Sequence, residues 1–143
     1  MTVDVLILCT GNRCRSQMAE GWLRTFAGDR LSIASAGLSP SEVHPIATAV
    51  MAEVGIDLSG HTSKHVDTFA DVDVETVVTV CDSAAEACPT FPSATRVIHR
   101  SFEDPDRPDL PFDEQVAVMR SARDEIASWA RAFVEDLVEG QDT

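Results

Sequence analysis

The apolar positions of this chain fall into two alternating periods. Val3 to Leu8 is an almost unbroken apolar run ending at Cys9-Thr-Gly-Asn12, the pattern of a strand buried on both faces. Met18, Ala19, Trp22, Leu23 and Phe26 then recur at helical spacing and stop near Gly28. Leu31 to Ala36 reads as a second short strand. Ile46, Val50 and Val54 mark a helix that opens near Pro45 and stops at Gly55. Glu75 to Val80 and Thr95 to His99 are two further strands. Phe112, Val116, Met119, Ile126, Ala130, Phe133 and Leu137 predict a long amphipathic helix stopping near Gly140. The Trp and Met residues on these stripes are expected in the core.

Strands alternating with helices, the strands being fully apolar, predict an α/β three-layer sandwich with a parallel sheet covered on both faces. Four strands in the flavodoxin-like order 2-1-3-4 would set the loops after the first and third strands side by side, at the switch point where ligands usually bind. Cys9 and Cys81 both end such strands. The turn-rich segment Ser101-Phe-Glu-Asp104-Pro105-Asp-Arg-Pro108 would approach from the loop after the fourth.

Composition fits one domain over residues 1–143, with no linker, repeat or low-complexity segment. A chain of 143 residues with 44% hydrophobic and 24% charged positions is neither disordered nor membrane-like. It has no apolar run of about 18 residues and no basic segment ahead of an apolar one, so the expected location is the cytoplasm. In that reducing compartment its four cysteines read as catalytic thiols rather than a disulfide framework. The net charge of −13 argues against nucleic acid or an anionic membrane as partners. It also repels an anionic substrate at long range, so any capture must depend on a local positive field.

The sequence supplies such a field at Cys9-Thr10-Gly11-Asn12-Arg13-Cys14-Arg15-Ser16, a Cys-x5-Arg loop between a strand and a helix. A helix beginning here leaves backbone N–H groups without intrahelical partners. Those donors and the helix dipole attract a tetrahedral dianion. The same field and Arg15 favour the thiolate of Cys9, the reactive form. A buried core cysteine is the plainer alternative for Cys9, but it leaves Gly11, Asn12, Arg15 and Ser16 unexplained.

A second pair follows in Cys81-Asp-Ser-Ala-Ala-Glu-Ala-Cys88. Inert packing remains open for these thiols, more so for Cys81 at a strand end than for Cys88, whose neighbours Glu86, Pro89 and Pro92 read as a loop. Zinc held with two of His44, His61, His65 and His99 is the third possibility. Structural zinc sites usually carry ligand pairs at short spacing, and this chain has none. No metal and no cofactor is expected.

The run Cys9 to Trp22 resembles the low-molecular-weight protein tyrosine phosphatase superfamily, and in its fuller form the arsenate reductase branch. The likeness extends along the chain to Ser35-Ala-Gly37 and to Val54-Gly-Ile-Asp57 with His61-Thr-Ser63. It implies that Cys9 is the nucleophile, held by the amides of residues 10–16 with Arg15 and Ser16, and that Asp104 of the Asp-Pro pair is the general acid. The Cys81 and Cys88 pair is similar to the redox relay of thioredoxin-coupled reductases. The implied partners are arsenate, with phosphate or sulfate competing, and thioredoxin. Glutathione with glutaredoxin serves some relatives; the seven-residue spacing of the pair favours thioredoxin.

Tyrosine phosphatases of the family generally carry aromatic residues just after the Asp-Pro pair, where this chain has Asp106 and Arg107. A bare oxyanion is therefore the expected substrate. A phosphatase acting with Cys9 and Asp104 alone, or a non-catalytic oxyanion sensor, are the alternatives. Some reductases hold potassium with ligands matching Asn12, Glu20 and Ser35 and an acidic residue at position 64. Lys64 stands there instead, and could place its ammonium where the cation would sit, so potassium independence is expected. Arg13 replaces a small residue of many relatives, to add anion affinity or to face solvent, and Cys14 is expected to be structural or incidental.

Overall fold

The computed structural model describes residues 2–81 and 94–141. Cys88, with Glu86, Pro89 and Pro92, lies outside them. Four parallel strands form the sheet: β1 (Thr2–Cys9), β2 (Ile33–Gly37), β3 (Asp73–Thr79) and β4 (Arg96–His99), in the order β2-β1-β3-β4. Val5, Leu6, Ile7 and Leu8 point alternately to opposite faces of β1 and all are buried, so both faces are covered, as the apolar run predicts. Cys9 pairs in register with Gly37 of β2, and Leu8 with Thr79 of β3. The expected fold class and strand order are those observed.

Helix α1 (Arg15–Ala27) ends where expected, with Gly28 at φ 60° returning its N–H to the Arg24 carbonyl. Helix α2 (Pro45–Glu53) opens on His44, whose ring accepts the Ile46 N–H, and has Pro45 in its first turn. Helix α3 (Phe112–Gln141) runs one residue past the expected stop at Gly140. It packs on α1 and α2 through the buried Met119, Ile126, Ala130 and Val134. Glu53 clasps α2 to α3 through Arg120 and Arg123 at 2.6 and 2.8 Å.

Some expectations fail. Phe112, counted in the apolar stripe, is 67% exposed, because the first turn of α3 extends past the body it packs against. The second strand begins at Ile33 rather than Leu31. A 3-10 turn, Val66–Phe69, buries Val66 and Phe69 with too few residues to establish a period.

Candidate active site

The carboxyl ends of β1 and β3 bring two cysteines together. Val80 donates its N–H to the Leu8 carbonyl at 2.9 Å, continuing the strand pairing to the brink of the site. Just beyond, the Thr10 hydroxyl lies 3.3 Å from Cys81 Sγ. Cys9, Cys14 and Cys81 are buried free thiols.

Between β1 and α1 the chain turns through Asn12, which has φ 50° and is completely buried. A left-handed residue following right-handed ones turns successive N–H groups toward one point, an anion-binding nest, and asparagine tolerates that conformation better than most side chains. Helix α1 starts without a side-chain cap and without an acidic residue in its first turn, so its dipole is left for an incoming anion. Among the described residues the N–H groups of Gly11, Asn12, Arg13 and Cys14 have no acceptor.

The loop is wedged against β2. A Cβ built on Gly37 would meet the Thr10 carbonyl oxygen at 2.7 Å and the Asn12 nitrogen at 2.9 Å, both backbone atoms. Ser63 donates its hydroxyl to the Gly11 carbonyl at 2.9 Å from the other side. Gly37→Ala is therefore expected to destabilise the protein by about 2 kcal/mol, the usual order for overpacking, and to weaken phosphate binding as the loop shifts. Urea unfolding and phosphate titration of the same variant check both effects.

A buried hydrogen-bond chain leads to the Cys9 thiol. Asn12 Oδ1 accepts the Lys64 N–H at 2.9 Å, which sets the orientation of the amide. Its Nδ2 then donates to Ser16 Oγ at 2.8 Å and to Ser35 Oγ at 3.0 Å. Ser16 Oγ, having accepted there, lies 3.0 Å from Cys9 Sγ, and its hydroxyl is free to donate to a Cys9 thiolate. Ser35 turns its proton toward Glu20 Oε1 at 2.7 Å. Gln17 ties the same region with Nε2 to the carbonyls of Asn12 and Thr62, both at 3.1 Å.

Glu20 is a buried carboxylate, and the chain supplies its counter-charge. Arg24 Nε lies 2.9 Å from Glu20 Oε2, and His61 Nδ1 lies 3.4 Å away while donating to Gln17 Oε1 at 3.0 Å. Burial holds His61 below the ordinary histidine range despite the pull of Glu20, so it stands neutral at pH 7. The Lys64 ammonium donates to the Thr62 carbonyl at 2.9 Å and lines one cavity with Glu20, Arg24 and His61. The donor set therefore does not fit a resident potassium ion, because both Glu20 oxygens and both serine hydroxyls are already committed. Activity and thermal midpoint are expected to agree within about 20% and 1 °C in equal concentrations of potassium and sodium chloride, since only screening is left to the salt. Clear activation by potassium would overturn this.

The loop after β4, which carries Asp104 and Asp106, closes the site. Arg15 Nη1 donates to the Phe102 carbonyl at 3.1 Å, and Phe102 is anchored edge-on against Trp129 of α3. Arg15 Nη2 lies 3.8 Å from Asp104 Oδ2, while Asp104 Oδ1 accepts the Asp106 N–H at 3.0 Å. A cavity of about 170 Å³ results, with Cys9, Thr10 and Gly11 on one wall and Arg15, Asp104 and Asp106 on another. No aromatic side chain lines it among the described residues.

Of the residues picked out from the sequence, Cys9, Arg13, Cys14, Arg15 and Asp104 meet at this cavity with Thr10 and Gly11, while Asn12 and Ser16 support it from beneath. Cys81 joins through Thr10. Burial, with Asp106 next, pushes the Cys14 thiol far above the ordinary range, so it stays protonated and unreactive. Arg13 does not face open solvent: its Nη1 lies 2.5 Å from Asp106 Oδ2. Asp106 and His44, which the sequence marks only as a non-aromatic position and a metal candidate, and Gln17 enter the site through partners 93, 62 and 44 residues away that nothing local marks.

Residues 4–142 match the family model of the low molecular weight phosphotyrosine protein phosphatases. The chain is 42% identical to the arsenate reductase of Halalkalibacterium halodurans and 40% identical to that of Bacillus subtilis, each over 92% of this chain and 94% of the relative. A solved arsenate reductase in its phosphate-binding state superposes with a TM-score of 0.79 at 33% identity, covering 95% of this chain and 98% of that one. The chain belongs to the low molecular weight phosphotyrosine protein phosphatase family, and within it to the arsenate reductases.

Proposed function

We propose that this protein reduces arsenate to arsenite through a relay of Cys9, Cys81 and Cys88, with thioredoxin restoring the thiols. The observation that carries the reading is the placement of two buried free thiols at one loop, Cys9 in the lining of an oxyanion-sized cavity with no aromatic side chain among the described residues and Cys81 against the Thr10 hydroxyl. Hydrolysis of an ester needs one thiol and a surface for the ester group. Reduction needs two electrons and hence a second thiol within reach.

The amides of residues 10–16 and the Arg15 guanidinium hold the oxyanion. Cys9 thiolate, receiving the Ser16 proton as a hydrogen bond, attacks arsenic. Asp104 gives its proton to the departing oxygen. Its placement suits that part, because Asp104 lines the cavity and the Asp106 N–H fixes its Oδ1. Cys81 thiolate then attacks Cys9 Sγ. The S–As bond breaks, its electron pair passes to arsenic, arsenite leaves, and a Cys9–Cys81 disulfide forms. Cys88, outside the described residues, attacks Cys81 in turn, freeing Cys9 and leaving a Cys81–Cys88 disulfide for thioredoxin.

Among the described residues no helix is long and apolar enough to cross a membrane, and we place the reaction in the cytoplasm, where thioredoxin is kept reduced. The test is arsenate-dependent NADPH oxidation with thioredoxin and thioredoxin reductase, using Cys88→Ser as control. Turnover lost in the variant supports the relay. Native protein that only hydrolyses aryl phosphates, with no arsenate turnover under any thiol donor, sinks it.

A further inference from the structure

We propose that Arg13 is a positioning residue that acts on the oxyanion through Asp106, bolting the acid loop to the oxyanion loop and cancelling a carboxylate charge at the cavity mouth. The proposal rests on the oxyanion-site reading above and assigns a task to three side chains that the reaction does not otherwise use.

Arg13, Asp106 and His44 form a closed ring. Arg13 Nη1 lies 2.5 Å from Asp106 Oδ2, and Arg13 Nε donates to the Glu42 carbonyl at 3.2 Å. The guanidinium is thus committed at two points. The second carboxylate oxygen, Asp106 Oδ1, lies 3.2 Å from His44 Nε2. Since His44 Nδ1 accepts the Ile46 N–H at 3.1 Å, the ring proton is on Nε2 and is donated to Asp106. The backbone closes the circuit, with His44 N–H donating to the Arg13 carbonyl at 3.2 Å.

This ring joins three separate parts of the chain: the oxyanion loop, the start of α2 and the acid loop. Its ion pair is more than an exposed contact, with side-chain exposures of 29% for Arg13, 27% for Asp106 and 10% for His44. Partial burial and shared hydrogen bonds are the conditions under which such a pair contributes beyond the small value of a surface bridge.

Two consequences follow for the chemistry. Asp106 N–H holds Asp104 Oδ1, so fixing the Asp106 residue fixes the acid. Asp106 also lines the cavity, where a bare carboxylate would repel any oxyanion. The ionisable groups lining the cavity are Arg13 and Arg15 against Asp104, Asp106 and the Cys9 thiol, with Cys14 held protonated by burial. Removing Arg13 leaves one cation against two carboxylates.

A double-mutant cycle on the full-length reduced protein, titrated calorimetrically with inorganic phosphate, separates this role from direct anion binding. Arg13→Ser is expected to weaken phosphate binding about tenfold, the effect of one uncompensated charge at short range in a partly wet site. Asp106→Asn should shift affinity by less than about threefold, and Arg13→Ser with Asp106→Asn should return to within about threefold of native, since the unpaired charge is gone. In aryl phosphate hydrolysis, Asp106→Asn should lower kcat several-fold with little change in KM, because the acid is less well held. A double variant as weak as Arg13→Ser alone would make Arg13 a direct ligand and overturn the proposal. If native protein binds no phosphate, or still binds it after Cys9 and its loop are blocked by alkylation, the oxyanion-site reading itself fails.

Discussion

Cys9→Ser is expected to abolish arsenate reduction and aryl phosphate hydrolysis together, each by at least about 10⁴-fold in kcat/KM, whereas Cys81→Ser should abolish only reductive turnover. The first loss follows from chemistry: a serine hydroxyl at the floor of the cavity is far less ionised and less nucleophilic than a thiol held by Ser16 and the loop dipoles. The second follows from the position of Cys81, which touches the loop through Thr10 and is absent from the cavity lining. Ester hydrolysis uses water to release the phosphoryl group and has no need of a second thiol. The two variants therefore divide along the line between the family's two chemistries. The check is paired: steady-state NADPH oxidation with arsenate, and p-nitrophenyl phosphate hydrolysis, on the same preparations. A Cys81→Ser protein that keeps reductive turnover would remove Cys81 from the relay.

Much of this division was legible in the residue order. The unbroken apolar run before Cys9 admits only a strand buried on both faces, and a strand–loop–helix sequence with an arginine six residues after a cysteine has few uses besides holding an anion. The alternation of elements predicts a parallel sheet, and the flavodoxin-like order 2-1-3-4 sets the ends of the first and third strands, where Cys9 and Cys81 stand, side by side. The charge environment was less legible. Lys64 lies in one cavity with Glu20, but the direct ion pair to Glu20 falls to Arg24, one helical turn on, while the Lys64 ammonium bonds the Thr62 carbonyl. An i,i+4 Glu–Arg pair is visible in sequence, but nothing local reveals that the glutamate is buried. Arg13 was open between anion and solvent because its partner lies 93 residues away, in a loop whose approach depends on Arg15 and on the Phe102–Trp129 contact. Turn-rich segments have no period, and so their side-chain partners are decided by tertiary packing alone.

Asn12→Asp is expected to lower kcat for both reactions about 10² to 10³-fold while the protein remains folded, an effect of the order seen when one preorganised donor is removed from a catalytic network. The substitution is nearly isosteric. Aspartate tolerates φ 50° as asparagine does, and its carboxylate can still accept the Lys64 N–H. What changes is the direction of two hydrogen bonds. Asn12 now donates to both Ser16 and Ser35, which leaves the Ser16 proton for Cys9 and the Ser35 proton for Glu20. An aspartate has no proton to give, so both hydroxyls turn back toward it. Cys9 loses its donor and gains a negative charge in its supporting shell, and Glu20 is left with Arg24 and His61. Asn12→Gly separates the two contributions, since it keeps the backbone freedom, adds no charge, and removes only the amide. Alkylation of Cys9 by iodoacetamide at neutral pH should then slow most in the aspartate variant, less in the glycine variant, and least in native protein. Equal alkylation rates in all three would mean that the amide holds the loop in shape but does not aim the Ser16 proton at the thiol.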